Sequence, residues 1–213
     1  MAIKIAVLSQ KGGVGKSTLS RALAVEYARH EWQVKIADMD LKQSTSAMWN
    51  RERMNQAHEP SVAVETFAHV KDILKQEHQY DLIIFDGAGQ ADLQTLDIAK
   101  HSDYIILPSG LSKDDLTPQI KLAHEFVKKG LKRSIIGIAL SRVGRSDREL
   151  EDTKEYVQLA GYQYLGHINE MTSISQCHDM GKAANETKYE SINEQVDQLI
   201  QSIVDKVELI NAQ

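Results

Sequence analysis

The sequence contains one cysteine, Cys177, and only three prolines among 213 residues. A single cysteine cannot close a disulfide within the chain, so a small fold that depends on internal disulfides is excluded. There is also no Ser/Gly-rich linker and no internal repeat at which the chain would divide. We therefore expect one domain that spans residues 1–213.

Long hydrophobic runs are missing as well. The longest, such as LIIF and YIIL, are far too short to cross a bilayer, and the first residues lead directly into glycines without a signal-peptide cleavage pattern. These absences predict a cytoplasmic protein. The net charge is -5, from 25 Lys and Arg against 30 Asp and Glu, so binding to nucleic acid or to an anionic membrane would require a local basic patch.

Seven short runs of β-branched and aliphatic residues alternate with segments of helical periodicity. The runs are residues 3–9, 34–38, 62–67, 82–86, 104–108, 135–140 and 164–168. Their nearly continuous apolar character is typical of strands that are buried on both faces. The alternation predicts an α/β fold, a three-layer sandwich in which helices cover both faces of a mostly parallel, twisted sheet.

The stretch LSQKGGVGKST, residues 8–18, joins the first predicted strand to the first predicted helix. Its three glycines let successive backbone N–H groups surround an anion, and the N-terminus of the helix adds positive charge. Lys16 supplies a mobile charge for the outer phosphates of a nucleotide, and the Ser17 hydroxyl is placed to bind Mg²⁺. This pattern predicts a P-loop NTPase-type fold. The residues predicted to bind the nucleotide in this loop are Lys11, Gly12, Gly13, Val14, Gly15, Lys16, Ser17 and Thr18.

The strict phosphate-loop pattern G-x-x-x-x-G-K-S/T fails at Gln10, whereas K-G-G-x-G-K-S/T fits residues 11–17. In this form the loop resembles the deviant Walker A motif of the ParA/MinD superfamily of ATPases. The resemblance implies ATP and Mg²⁺ as cofactors and a homodimer that forms with ATP. It also implies that Lys11 is the family's signature lysine, which crosses the dimer interface to the phosphates in the other subunit and acts there as an arginine finger does.

Three aspartates follow predicted strands: Asp38, Asp40 and Asp86. A carboxylate at the end of a buried strand is costly to desolvate unless it meets a cation or several hydrogen-bond donors. The resemblance implies that Asp86 is the Walker B aspartate, which binds Mg²⁺ together with Ser17. It further implies that Asp40 orients the attacking water, while Asp38 is expected to be structural. The catalytic residues implied are thus Lys11, Lys16 and Asp40.

Two glycines follow Asp86 in the stretch DGAG. Gly87 and Gly89 are predicted to form, with Asp40, a switch that changes conformation when the γ-phosphate leaves. This stretch resembles the small plasmid-partition ParA proteins in particular.

The sequence departs from the family pattern at two places. After the second strand the family usually reads D-x-D-P-Q, whereas this chain reads DMDLKQS, with no proline and with the glutamine at Gln43. Later, Ser141 replaces the asparagine of an Asn-Arg pair that lies beside adenine in the family, while Arg142 is retained. Arg142 is therefore a predicted ATP-binding residue, and a preference for adenine is implied by the resemblance alone.

The resemblance favours one branch of the superfamily. MinD-like members end in a basic amphipathic helix, but here the last segment is mainly acidic, which predicts no membrane binding. Iron–sulfur proteins and metal-cluster carriers of the superfamily need two cysteines, so the single cysteine excludes both.

The branch that remains is the small ParA type. The resemblance to it implies a nucleoid-associated protein that binds DNA without sequence preference and works with a centromere-binding partner of the ParB type or a small ribbon-helix-helix type. Candidate DNA-binding residues are Lys128, Lys129, Lys132, Arg133, Arg145 and Arg148.

Three alternatives stay open at this point. A ParA-like ATPase could use the same mechanism to position a protein complex or a conjugation machinery. A MinD-like membrane regulator is disfavoured by the acidic last segment. A ligase of the dethiobiotin synthetase kind has a related phosphate loop but no need of a signature lysine, so Lys11 counts against it.

Overall fold

The computed structural model describes residues 1–88, 93–144 and 146–211. Its seven strands are β1 (Ile3–Val7), β2 (Val34–Asp38), β3 (Ala63–Thr66), β4 (Leu82–Asp86), β5 (Tyr104–Ser109), β6 (Ile136–Val143) and β7 (Gln163–Asn169). Its eight α-helices within these ranges are α1 (Lys16–Arg29), α2 (Thr45–Asn55), α3 (Val70–Leu74), α4 (Leu93–Lys100), α5 (Lys113–Lys128), α6 (Asp147–Leu159), α7 (Thr172–Asp179) and α8 (Glu190–Asn211).

The seven strands form one sheet in the order β3-β2-β4-β1-β5-β6-β7, and every pairing is parallel. The predicted α/β class and the seven predicted strands are confirmed: β2 and β4 have the predicted bounds, and the other five strands have ends shifted by one to three residues. Since β1 lies in the middle, the chain fills one half of the sheet through β4 and then the other half from β5. Ligands of such sheets bind at the carboxyl ends of the strands, next to this reversal.

Helices cover both faces of the sheet, as predicted. One hydrophobic cluster joins the sheet to α1, α2, α7 and α8, and the other joins it to α3, α4, α5 and α6. Strands β2, β4 and β5 are buried along their whole length, because helices pack on both of their faces. Among the helices of the described ranges, none has both the length and the apolar character needed to cross a bilayer.

Candidate functional site

A cavity of about 520 Å³ opens at the carboxyl ends of the strands. It is bounded by the loops that follow β1, β2, β4, β6 and β7, so five separate segments of the chain converge there. The residues that line it are Gly12, Gly13, Gly15, Lys16, Ser17, Thr18, Leu19, Arg21, Asp38, Asp40, Gln43, Thr45, Asp86, Gly87, Ser141, Arg142, Ile168, Asn169, Glu170, Met171, Ile174, Ser175 and His178. The phosphate loop and the three aspartates predicted from the sequence therefore belong to one site.

The loop between β1 and α1 has the backbone that its glycines allow. Gly13 and Gly15 have φ angles of 74° and 93°, and Gly15 is the N-cap of α1. Side chains would be strained at both positions, and a Cβ at Gly15 would lie 3.1 Å from the Ser141 side chain. The N-terminus of α1 thus faces the cavity, where it can bind a phosphate.

Lys16 is held at the floor of the cavity. Its side chain is mostly buried, and its Nζ donates a 3.2 Å hydrogen bond to the carbonyl oxygen of Lys11. Burial lowers the pKa of Lys16, and the carboxylates of Asp86 and Asp40 act in the opposite direction. A buried ammonium beside two carboxylates is a suitable partner for phosphate oxygens.

Asp38 and Asp86 end adjacent strands and are register partners in the sheet. Asp38 accepts hydrogen bonds from the backbone N–H groups of Ser46 and Ala47 at 3.0 and 3.2 Å and from that of Asp40 at 3.1 Å. Burial, together with the charge of Asp86, raises the pKa of Asp38 to about 6 despite these donors. Asp38 therefore fixes the start of α2, which agrees with the structural role predicted for it.

The two carboxylate oxygens of Asp86 differ in their hydrogen bonding. The Ser46 hydroxyl donates to Oδ2 at 2.6 Å, whereas Oδ1 is buried and has no hydrogen-bond partner within the described ranges. An orphaned carboxylate oxygen is costly unless something else binds it. The Ser17 hydroxyl lies across the same cavity, 3.1 Å from the Thr45 hydroxyl.

These groups fit a hydrated divalent cation. Mg²⁺ is usually held in proteins by one or two carboxylate or hydroxyl oxygens together with phosphates and water, not by a cage of side chains. In the described part of the chain, no group of three or more His, Cys, Asp or Glu residues is arranged to bind a metal. Ser17 and Asp86 would hold the ion, as predicted, and its remaining ligands would come from the nucleotide and water.

Asp40 lies in the loop between β2 and α2. Its Oδ1 accepts hydrogen bonds from the backbone N–H groups of Lys42 and Gln43 at 3.1 and 3.0 Å. The chain therefore turns tightly here without the proline of the family pattern. The Asp40 carboxylate lines the cavity, so the structure places it with the phosphate loop, while its role toward water stays a prediction.

The end of β6 packs on the phosphate loop. The Ser141 hydroxyl donates to the carbonyl oxygen of Val14 at 2.6 Å. Arg142 has a φ angle of 53°, and a Cβ on Gly13 would lie 2.8 Å from its guanidinium. Ser141 thus supports the loop, and Arg142 covers it from the side of the cavity. Contact between Arg142 and a base stays a prediction.

His178 on α7 forms part of the opposite wall. Its Nε2 is buried without a hydrogen-bond partner in the described ranges. Burial, together with the nearby charge of Arg21, lowers the pKa of His178 to about 4, so the imidazole is neutral at pH 7.

This burial predicts a pH effect on stability. An unfolded histidine takes up a proton near pH 6.5, the folded one only near pH 4, so stability is lost as the pH falls through that window. Between pH 7 and pH 5 the free energy of unfolding of the wild type should fall by roughly 2 kcal/mol more than that of His178→Gln, as measured by urea unfolding. The control is His78→Gln, which replaces an exposed histidine. Parallel profiles for the wild type and His178→Gln would contradict the expectation.

The remaining predicted residues are the two switch glycines and the candidate DNA-binding residues. Gly87 lines the cavity, and its N–H donates to the carbonyl oxygen of Val7 at 3.1 Å, while Gly89 lies outside the described residues.

Of the DNA-binding candidates, Arg145 also lies outside the described residues. Arg133 is engaged within the fold, since it donates to the carbonyl oxygen of Ala160 at 2.7 Å and lies over the Tyr162 ring. Arg133 is nevertheless exposed, as are the other candidates: Lys128 and Lys129 at the end of α5, Lys132 in the next loop and Arg148 on α6.

Sequence reasoning missed several residues of the site. Thr45 and Ser46 contact Ser17 and Asp86, the predicted magnesium ligands, and His178 and Arg21 line the far wall. The run of hydroxyl residues STS after Gln43, directly before a helix, was the available signal for Thr45 and Ser46. No local pattern marks His178.

The fold and site define a nucleotide-binding protein, and the chain belongs to a known family of that kind. Residues 5–184 match the family of CobQ/CobB/MinD/ParA nucleotide binding domains. The superfamily inferred from the deviant phosphate loop is thereby confirmed.

Individual relatives differ in role. The chain is 32% identical over 124 residues to the maintenance of carboxysome distribution protein A of Gloeobacter kilaueensis, a match that covers 58% of this chain and 56% of that protein. The chain therefore aligns with little more than half the length of this curated relative. The septum site-determining protein MinD of Pyrococcus horikoshii, solved with Mg-ADP, has a TM-score of 0.77 at 20% identity, and covers 99% of both chains. A plasmid partition protein of Borrelia burgdorferi bound to AMPPNP has a TM-score of 0.72 at 18% identity, covering 97% of this chain and all of the other.

Proposed function

We propose that the protein is a ParA-type ATPase that pairs on binding ATP and Mg²⁺, binds DNA without sequence preference while paired, and hydrolyses ATP to drive plasmid or chromosome segregation. The observation that carries the proposal is the position of the two loop lysines. Lys16 is buried in the cavity, whereas the Lys11 side chain is 40% exposed, so a second subunit could meet it.

The chain supplies each part that this reaction needs. The N–H groups around Gly13 and Gly15 and the ammonium of Lys16 bind the phosphates. Ser17 and Asp86 would hold Mg²⁺, which when bound would neutralise charge on the phosphate oxygens. Asp40 orients water toward the γ-phosphate, and Lys11 of the other subunit stabilises the charge that develops in the transition state.

The proposed cycle links nucleotide state to DNA binding. Pairing would bring two copies of a weak basic surface together, and two linked weak contacts bind far more strongly than one. The exposed Lys128, Lys129, Lys132, Arg133 and Arg148 are the candidates within the described ranges. Hydrolysis would separate the subunits and release DNA, and a centromere-binding protein of the ParB or ribbon-helix-helix type would stimulate it.

DNA binding with each nucleotide tests this function. A duplex of arbitrary sequence should co-migrate with the protein in the presence of ATP and Mg²⁺ but not of ADP, and the affinity should fall steeply with salt because counterions are displaced. Replacing Lys128 and Lys129 by alanine should weaken ATP-dependent binding about ten-fold, since each subunit loses two phosphate contacts. The matched control replaces Lys71 and Lys100, which are exposed on α3 and α4. Equal binding with ATP and ADP would contradict the proposal.

A second function has its own support, because the Gloeobacter relative is named for maintaining carboxysome distribution. Under this reading the same ATPase cycle positions a protein assembly on the nucleoid. Deletion of the gene separates the two. Loss of plasmid or chromosome copies from daughter cells supports segregation, whereas stable DNA with a misplaced protein assembly supports the second function.

A further inference from the structure

The Lys11 side chain is held inside its own subunit by an ion pair. Its Nζ lies 2.7 Å from Oδ1 of Asp115, which is in the first turn of α5 and 104 residues further along the chain. The lysine proposed to act in the other subunit therefore contacts a carboxylate of its own subunit here.

Asp115 is fixed in place for this contact. Its Oδ2 accepts a 2.8 Å hydrogen bond from the Ser112 hydroxyl, which in turn accepts from the Asp115 N–H at 3.2 Å. A Cβ on Gly110 would overlap Oδ2, so the glycine makes room for the carboxylate. The hydrogen bond from Lys11 lowers the pKa of Asp115, with further contributions from Ser112 and the charge of Arg142, which keeps the group ionised at neutral pH.

A second contact on the same helix face ties α5 to the same loop. Gln119 lies one helical turn after Asp115, and its side-chain amide donates to the Ser9 hydroxyl and, at 2.6 Å, to the carbonyl oxygen of Pro108. The Ser9 hydroxyl also accepts from the backbone N–H of Lys11 at 2.9 Å. The first turns of α5 therefore hold both the backbone and the side chain of Lys11.

We propose that Asp115 is a positioning residue that retains Lys11 in its own subunit, so that this ion pair must open before Lys11 reaches the phosphates of a partner. The inference rests on the proposed function, in which Lys11 acts across a dimer. It adds that Asp115 sets how readily ATP-loaded subunits pair. The side chains of Lys11 and Asp115 are partly exposed, at 40% and 30%, so each ion pair contributes only a modest free energy. The binding of two nucleotides can therefore supply the free energy needed to open both pairs.

Neutralising Asp115 should strengthen pairing. An ion pair of this exposure changes an equilibrium by up to about five-fold, and two such pairs open per dimer, so Asp115→Asn should tighten the dimer dissociation constant by roughly five- to twenty-five-fold. The measurement is sedimentation equilibrium with AMPPNP and Mg²⁺. Hydrolysis should rise at low protein concentration, where pairing is limiting, and stay near the wild-type rate at saturation.

The matched control is Asp114→Asn. Asp114 is exposed in the same turn of α5, so both variants remove one charge from the same helix N-terminus. Asp114→Asn should leave pairing within two-fold of the wild type, and Asp115→Glu, which keeps the charge, should do the same. In the double variant Lys11→Ala with Asp115→Asn, the gain should vanish, because the group that Asp115 holds is gone.

Two failures are distinguishable. If the wild type does not pair with AMPPNP and Mg²⁺, the proposed function fails, and this inference with it. If the wild type pairs and Lys11→Ala does not, but Asp115→Asn pairs no more tightly than Asp114→Asn, only the role of Asp115 is overturned. A gain from Asp115→Asn that persists without Lys11 overturns it too.

Discussion

Lys11→Ala is expected to abolish ATP-dependent pairing and to lower the rate of ATP hydrolysis by roughly 1,000-fold or more. The reason is that a cation supplied to a transferring phosphoryl group by another subunit contributes about 10³- to 10⁵-fold to the rate. Nucleotide binding by the single subunit should be largely kept, because Lys16 and the loop N–H groups remain. Light scattering with ATP and phosphate release at saturating ATP measure the two effects.

The control for this prediction is Lys121→Ala, which removes an exposed lysine from α5 and should leave both measurements unchanged. Mixing two variants tests whether Lys11 acts in its own subunit or in the other one. If Lys11 acts across the dimer, mixing the Lys11→Ala subunit with a subunit deficient in its own ATP site should restore one functional site. A Lys11→Ala protein that pairs and hydrolyses ATP like the wild type would remove the basis of the proposed function.

Asp40→Ala is expected to bind ATP and to pair, yet to hydrolyse ATP about 1,000-fold more slowly than the wild type. Loss of a group that orients and polarises the attacking water typically costs 10²- to 10⁴-fold. Because hydrolysis is what separates the subunits, the dimer should accumulate with ATP. Size-exclusion chromatography in ATP and Mg²⁺, together with single-turnover hydrolysis, would show this.

Asp40 also holds its own loop, so the catalytic and structural effects of the variant must be separated. Its Oδ1 accepts from two backbone N–H groups, and Asp40→Asn retains an oxygen for that purpose while it loses the negative charge. We expect Asp40→Asn to be as slow as Asp40→Ala but closer to the wild type in thermal stability. A monomeric Asp40→Ala protein in ATP, at normal stability, would contradict the assignment of Asp40.

Much of the fold followed from the chain itself. The seven apolar runs became the seven strands, because a strand that is buried on both faces must be apolar along its length. Their ends were less well determined: β1 ends at Val7 and β6 continues to Val143. Residues near strand ends belong to sheet or loop according to the neighbours that they meet, and those neighbours are remote in sequence.

The candidate site was predictable to the extent that its motifs are local. The loop of residues 11–17 and the aspartates at strand ends are short patterns, and the parallel sheet necessarily brings them to one edge. The contacts of Arg133 within the fold and the cover that Arg142 gives to Gly13 could not be read in this way. They depend on which side chain a distant segment presents.

By itself, the sequence determined the class of the fold, the family and the phosphate-binding loop, since glycine spacing and apolar runs act through neighbouring residues. Only the tertiary structure decided that Ser46 reaches Asp86 across 40 residues, that Nε2 of His178 is buried without a hydrogen-bond partner in the described ranges, and that Lys11 meets Asp115 across 104 residues. The physical reason is that hydrogen bonds and ion pairs form between atoms a few ångströms apart in space. The order of residues along the chain does not specify those distances until the helices have packed on the sheet.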